Sequence, residues 1–298
     1  MASRIAPVVF EIVPTSIEDG PERLREEAEK VRRLFEEAGL WGRVNSILIP
    51  QLIAEEGDRP VALADKFDSI DAKRYLSEAL PLDYILTQVS VFTPESELRH
   101  RIAALRAAGV NRVVFVGVPR VFEAEDVVGP YPSQAVELFE AELPSRGVIL
   151  IPTRPDEGKR FAEKVRAGAN FGLSQLLFSD HIVGFLKELS AQPERPELLL
   201  SFGYVPQLEA NRGLIRWLIK DTTATAAAEM DEVLRLSALP FKDKKAHLVS
   251  LVRRVVEEVQ PLGFPLGLHF ECPYGPSKPA MEVFAAVLEA WTDVMGKG

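Results

Sequence analysis

The sequence predicts an α/β fold, a single (β/α)8 TIM barrel spanning residues 1–298 as one catalytic domain. Two observations predict it. Eight short apolar runs alternate with segments of helical period, the pattern of parallel strands ringed by helices. No G-x-G-x-x-G turn follows the first run, which weighs against the rival open dinucleotide-binding sheet. No repeat, low-complexity tract or linker divides the chain.

The first strand is expected from Val8 to Val13, ended by Pro14-Thr15-Ser16. A helix follows from Pro21 to Ala38; Pro suits its first turn and Gly39 ends it. Leu24, Ala28, Val31 and Phe35 form its inner stripe. Strand two, Val44 to Ile49, leads into a loop carrying Glu55-Glu56-Gly57, then a short helix from Ser69 to Ala79. Strand three is Asp83 to Val91, and Thr93-Pro94 opens a helix that ends before Gly109. Strand four is Arg112 to Val118. After a long loop containing Gly129-Pro130-Tyr131-Pro132, a helix runs from Ser133 to Leu143. Strand five is Val148 to Ile151, followed by a helix from Gly158 to Ala167.

Strand six is expected from Ala169 to Phe178, an apolar run broken by Ser174-Gln175. A helix follows from His181 to Leu189. Strand seven is Leu198 to Tyr204. Helical pieces at Leu208 to Lys220, Thr223 to Leu236 and Lys244 to Val259 exceed what one barrel connection requires, so extra helices are inserted before strand eight, Phe264 to Phe270. Ser277 to Met295 closes the chain as a helix.

A hydrophobic content of 47% and a charged content of 27% are those of a soluble globular protein. The net charge of -9 argues against a general nucleic-acid binder. The single cysteine, Cys272, precludes an intrachain disulfide and a cysteine-rich metal site, and no metal is expected. The N-terminus lacks the pattern of a signal peptide, and no run approaches the roughly 18 apolar residues of a membrane span. A cytoplasmic protein with a small-molecule partner is expected.

In a barrel, chemistry sits at the carboxyl ends of the strands and in the loops after them. That rule selects Glu11, Glu55, Glu56, Gln88, Arg120, Arg154, Gln175, Asp180, Tyr204, His269 and Glu271. Glu11 interrupts the run VVFEIV. A buried carboxyl must be paired, or must stay protonated. The first case is a structural ion pair; the second is a general acid. Gln175 ends a buried strand, where an unpaired amide is costly. It is either satisfied by backbone or placed to read a ligand's donors and acceptors. His269 reads as structural.

Four of these stretches resemble the methylenetetrahydrofolate reductase family. Phe10-Glu11-Ile12 with Pro14 is similar to the family's first strand, whose glutamate is the catalytic acid. Ala167-Gly168-Ala169 leading to Ser174-Gln175 resembles the helix and strand whose glutamine binds the pterin. Phe202-Gly203-Tyr204-Val205-Pro206 and Gly267-Leu268-His269-Phe270 are like strands seven and eight. The resemblance implies Glu11 as proton donor and Gln175 as pterin contact. Tyr204 would cover an aromatic ring of the folate or merely pack.

The departures fall on the flavin side. Val118 stands where the family has an aspartate facing flavin and pterin. Pro152-Thr153-Arg154-Pro155-Asp156-Glu157 lacks the family's tyrosine and histidine. Gln88 lies where a histidine and cysteine are common, and is a candidate substrate contact. The chain thus resembles the divergent mycobacterial-type branch, which works without bound flavin. That implies NADH or NADPH as hydride donor, with FAD expected to be absent and Val118 beside the nicotinamide. Glu55 is a candidate to assist proton transfer or recognition and Glu56 its neighbour at the substrate, though both read equally as a solvated loop pair. Arg120 and Arg154 are candidates for a cofactor phosphate or the folate tail. The rivals are a conventional flavin enzyme, a deazaflavin-dependent reductase and a folate- or pterin-binding barrel without catalysis.

Overall fold

The computed structural model describes residues 6–52, 66–117, 127–206 and 223–296. Its eight strands are β1 (Val8–Glu11), β2 (Ser46–Ile49), β3 (Asp83–Val89), β4 (Arg112–Val116), β5 (Ser145–Leu150), β6 (Phe171–Ser174), β7 (Glu197–Gly203) and β8 (Leu266–Glu271). They pair in sequence order and close into a parallel barrel, with β8 returning to β1 and His269 opposite Val9. The described helices are α1 (Gly20–Glu37), α2 (Ser69–Ala79), α3 (Glu95–Ala107), α4 (Pro132–Leu138), α5 (Glu157–Arg166), α6 (His181–Leu189), α7 (Ala224–Ser237), α8 (Phe241–Val259) and α9 (Lys278–Met295). The sequence-based fold class is correct. Both α7 and α8 lie between β7 and β8, as the inserted helices were expected to; the expected piece from Leu208 to Lys220 lies outside the described residues. None of the described helices is long and apolar enough to cross a membrane.

Residues two apart on a strand face the same side. Val9, Leu48, Ile85, Val114, Leu173 and Leu199 fill the lumen. Their neighbours face the helices: Phe10 meets Phe35 of α1 edge-on at 5.1 Å and stacks with Phe284 of α9 at 5.8 Å. Burial on both faces is why these strands read as unbroken apolar runs. The amino-terminal end of the lumen is filled by Phe171. Its ring occupies the space beside Gly147, where a Cβ would lie 2.3 Å from it. The Arg112 guanidinium lies 4.6 Å from the ring centroid and pairs with Glu197. The interior is therefore closed below by this ring and ion pair, and Glu11, Ser201, His269 and Glu271 stand at the opposite, carboxyl end.

Several boundaries differ from the sequence expectation, and three of them bear on the site. β1 ends at Glu11, two residues short of Val13, so the carboxylate stands on the rim. β8 extends one residue further, through Glu271. β6 is four residues rather than ten. Its ladder to β7 is interrupted by side chains: the Ser201 N–H donates to Ser174 Oγ at 2.8 Å, and Ser201 Oγ donates to the Ser174 carbonyl at 2.6 Å. The backbone ladder resumes only at the Leu177 N–H, which reaches the Ser201 carbonyl at 2.9 Å. An apolar run carries no mark of such a side-chain insertion.

Candidate active site

The strand alternation that puts Val9, Leu199 and Gly267 in the lumen also puts Glu11, Ser201, His269 and Glu271 there, at the carboxyl end. Gly203 makes room for the last of these, since a Cβ on it would meet the Glu271 carbonyl oxygen at 2.7 Å. His269 is 1% exposed and lies between two carboxyl groups, its Nε2 3.8 Å from Glu11 and its Nδ1 3.6 Å from Glu271. The side chains of Glu11 and Glu271 are 17% and 13% exposed.

The hydrogen bonds determine the imidazole tautomer. Ser201 Oγ is 2.8 Å from His269 Nδ1, and its single proton goes to the Ser174 carbonyl, which can only accept. Nδ1 must then carry the proton and donate to Ser201 Oγ. Nε2 is left as a lone pair, buried and with no hydrogen-bond partner. It faces Glu11. An ionised Glu11 would oppose that lone pair at 3.8 Å, whereas a protonated one would not.

Burial acts in the same direction. It raises the Glu11 carboxyl from its ordinary 4.5 to about 7. It lowers the His269 imidazole to about 3, so the ring is neutral. Glu271 is raised well above its ordinary value, first by burial and then by the charge of Glu11. Among the described residues no Lys or Arg pairs with Glu11 or Glu271. The structural ion pair considered for Glu11 would therefore have only this neutral imidazole as its base.

Gln175 lies just beyond β6 and is half-buried, with its N–H on the Leu150 carbonyl at 2.8 Å. It lines a cleft with Pro152, Thr153, His181 and Glu229. Glu229, from the inserted α7, was not foreseen; the sequence around it reads as an ordinary helix. Its buried carboxyl accepts from Ser179 Oγ and is raised by burial.

Gln88 and Tyr204, two expected ligand contacts, have protein partners of their own. Gln88 is fully buried on the helix side of β3, where its oxygen accepts from Arg101 and its amide donates to the Val89 carbonyl at 2.9 Å. Tyr204 packs edge-on against Phe241 of α8, with ring centroids 5.8 Å apart. Arg154 is half-buried in the turn after β5, its N–H on the Ile151 carbonyl at 3.0 Å. Asp180 forms an outward ion pair with Arg254 at 3.7 Å. Glu55, Glu56, Val118 and Arg120 lie outside the described residues. The loop toward Glu55 leaves β2 at Gln51, whose N–H donates to Thr87 Oγ1 at 2.7 Å and whose side chain accepts from the Val89 N–H at 2.6 Å.

Fold and site define a (β/α)8 barrel with a buried carboxyl pair at the carboxyl end of its lumen, without a cation partner among the described residues. The family model described as mycobacterial methylenetetrahydrofolate reductase matches residues 4–294. The chain belongs to that family. A solved structure of an uncharacterized protein from Clostridium thermocellum, described as binding two copies of 5-methyl-5,6,7,8-tetrahydrofolic acid, is similar at a TM-score of 0.69 and 16% identity, covering 97% of this chain and 96% of that one. It shares the fold. Tryptophan synthase from M. tuberculosis matches at a TM-score of 0.48 and 11% identity over 96% of this chain and 92% of that chain. No protein of curated function matches the sequence.

Proposed function

We propose that this protein reduces 5,10-methylenetetrahydrofolate to 5-methyltetrahydrofolate by direct hydride transfer from NADH or NADPH, without bound flavin. The observation that carries the reading is Glu11: a buried carboxyl at a strand end, with no cation partner among the described residues, facing a histidine lone pair. That is a site for a neutral acid. Opening the imidazolidine ring of the substrate needs such an acid, because nitrogen-10 must gain a proton as its bond to the one-carbon unit breaks.

Glu11 gives its proton to nitrogen-10 and becomes a carboxylate. The exocyclic carbon, left as an iminium on nitrogen-5, is then open to hydride. A bound nicotinamide supplies that hydride. Gln175 holds the pterin edge through its amide, and Glu229 in the same cleft is available to its amino group. Glu55 assists proton transfer or recognition, with Glu56 beside it. Val118 forms an apolar wall for a flat ring, and Arg120 and Arg154 meet phosphate or the folate tail. These last roles rest on the family resemblance.

Selective departure from the flavin-binding pattern supports the absence of flavin: Val118 and the Pro152 to Glu157 loop discard flavin contacts while Glu11 and Gln175 are kept. The purified protein should be colourless and should reduce methylenetetrahydrofolate with nicotinamide alone. Stoichiometric flavin in the denatured supernatant, with activity lost on stripping it, would instead make this a conventional flavin enzyme.

A further inference from the structure

We propose that Glu271 is a positioning residue that holds the proton on Glu11: the two carboxyl groups, from adjacent strands and on either side of His269, share one proton at neutral pH and do not ionise together. The inference rests on the reductase reading for its purpose, but its physical content is independent of substrate.

The geometry carries it. Glu11 on β1 and Glu271 on β8 both project into the closed lumen, and their oxygens with the nearer His269 nitrogens fall within 4.8 Å of one another. Among the described residues, the groups near this space can be named from the neighbouring strands. β1 contributes Glu11, β7 the Ser201 hydroxyl and β8 His269 and Glu271, and Cys272 follows β8. None is a cation near neutrality. His269 is neutral through burial, and the Cys272 thiol is pushed up by burial and then by both carboxyl groups. Two carboxylates in such a space would repel at low effective dielectric, which is the condition under which paired carboxyls keep a proton between them. Such a pair releases its protons in two separated steps that belong to both groups.

The His269 tautomer gives the shared proton a direction. With Nδ1 committed to Ser201, Nε2 accepts only from the Glu11 side. Ionisation is therefore better borne by Glu271, which lies 3.6 Å from Nδ1, the protonated side of the ring. Glu11 is left as the acid. When Glu11 has given its proton to the substrate nitrogen, solvent restores one proton to the pair, so each turnover consumes one proton and the carboxyl groups return to their starting state.

The test is a pH titration of the protonated-carboxyl infrared band in the parent, Glu11→Gln and Glu271→Gln proteins, without substrate. The parent should lose protons in two steps at least about two pH units apart. Glu271→Gln should move the ionisation of Glu11 acidward by about one to two units. The alkaline limb of kcat/KM should move with it while the folate KM changes little, and Glu271→Asp should restore the parent profile. If the variants fail to fold, the two-step titration of the parent decides alone. A Glu11 that titrates at the same pH with and without Glu271, or a single step in the parent, overturns the proposal. So does stoichiometric Zn2+ uptake with proton release, which would make the trio a metal site. A two-step titration in a protein that reduces no folate supports the pair and contradicts the reductase reading.

Discussion

The Nε2 of His269 lies 3.8 Å from Glu11, buried and without a hydrogen-bond partner, while Nδ1 on the same ring is 2.8 Å from Ser201 Oγ. One imidazole thus links a hydrogen-bonded backbone insertion in β6 to a carboxyl on β1. A neutral histidine with this tautomer turns a lone pair toward Glu11, which disfavours the carboxylate and favours the protonated carboxyl. The acid at the barrel mouth is thereby tied to how β6 and β7 are joined.

Glu11→Gln should fold and bind folate but lose most turnover. The amide fills the same volume and can still donate to Nε2, yet it has no acidic proton to give. The expected loss is roughly a hundred- to ten-thousand-fold. Steady-state kinetics on the purified variant checks this, and parental turnover would make Glu11 structural.

The same substitution should change the pH dependence of stability. Folded Glu11 is protonated up to about pH 7, whereas in the unfolded chain it ionises near 4.5. The folded state holds the extra proton in that window, so this contribution is fully present below about 4.5 and is lost as pH rises through 7. Glu11→Gln cannot ionise, and should gain on the parent across the window by about 3–4 kcal/mol at roughly 1.4 kcal/mol per unit. Urea denaturation at a series of pH values measures it. Parallel curves for the two proteins would contradict burial as the cause.

Ser201→Ala should cost about 1–3 kcal/mol, because it strips a buried carbonyl and the His269 Nδ1–H of their partner at once. It should also lower turnover, since the imidazole is then free to present Nε2–H to Glu11 and favour its carboxylate. Thermal melts and kcat together test this. A loss of stability with an unchanged pH–rate profile would confine Ser201 to a structural role.

Gln175→Ala should raise the folate KM more than it weakens NADH binding, by about 1–3 kcal/mol for unpaired pterin groups. Titration calorimetry with each ligand separates the two. Equal losses would mean that the cleft has collapsed.

The barrel was legible because its strands are buried on both faces and its helices carry a clear apolar stripe. Glu11 was legible because a carboxylate in VVFEIV contradicts its surroundings. The same uniform burial hid which residues face inward. Ile85-Leu86-Thr87-Gln88-Val89 is apolar on both sides, so nothing in it marks Gln88 as turned toward Arg101 rather than the lumen. Tyr204 likewise finds Phe241 through an inserted helix whose docking no local pattern encodes. Glu271 could have been paired with His269 by counting two residues along the strand, but the apolar run ends at Phe270. Ser201 had no signal, since a lone serine in LLLSFG is common in buried strands.

The central claim is direct transfer of hydride from a nicotinamide to the one-carbon unit, with Glu11 supplying the proton. Single-turnover reduction of methylenetetrahydrofolate with NADH carrying deuterium on one face of carbon-4 tests it most directly. The account predicts one deuterium in the product methyl group from one of the two labelled faces, without washout into water and with no flavin present. Deuterium lost to solvent, or transfer that requires added flavin, would contradict it.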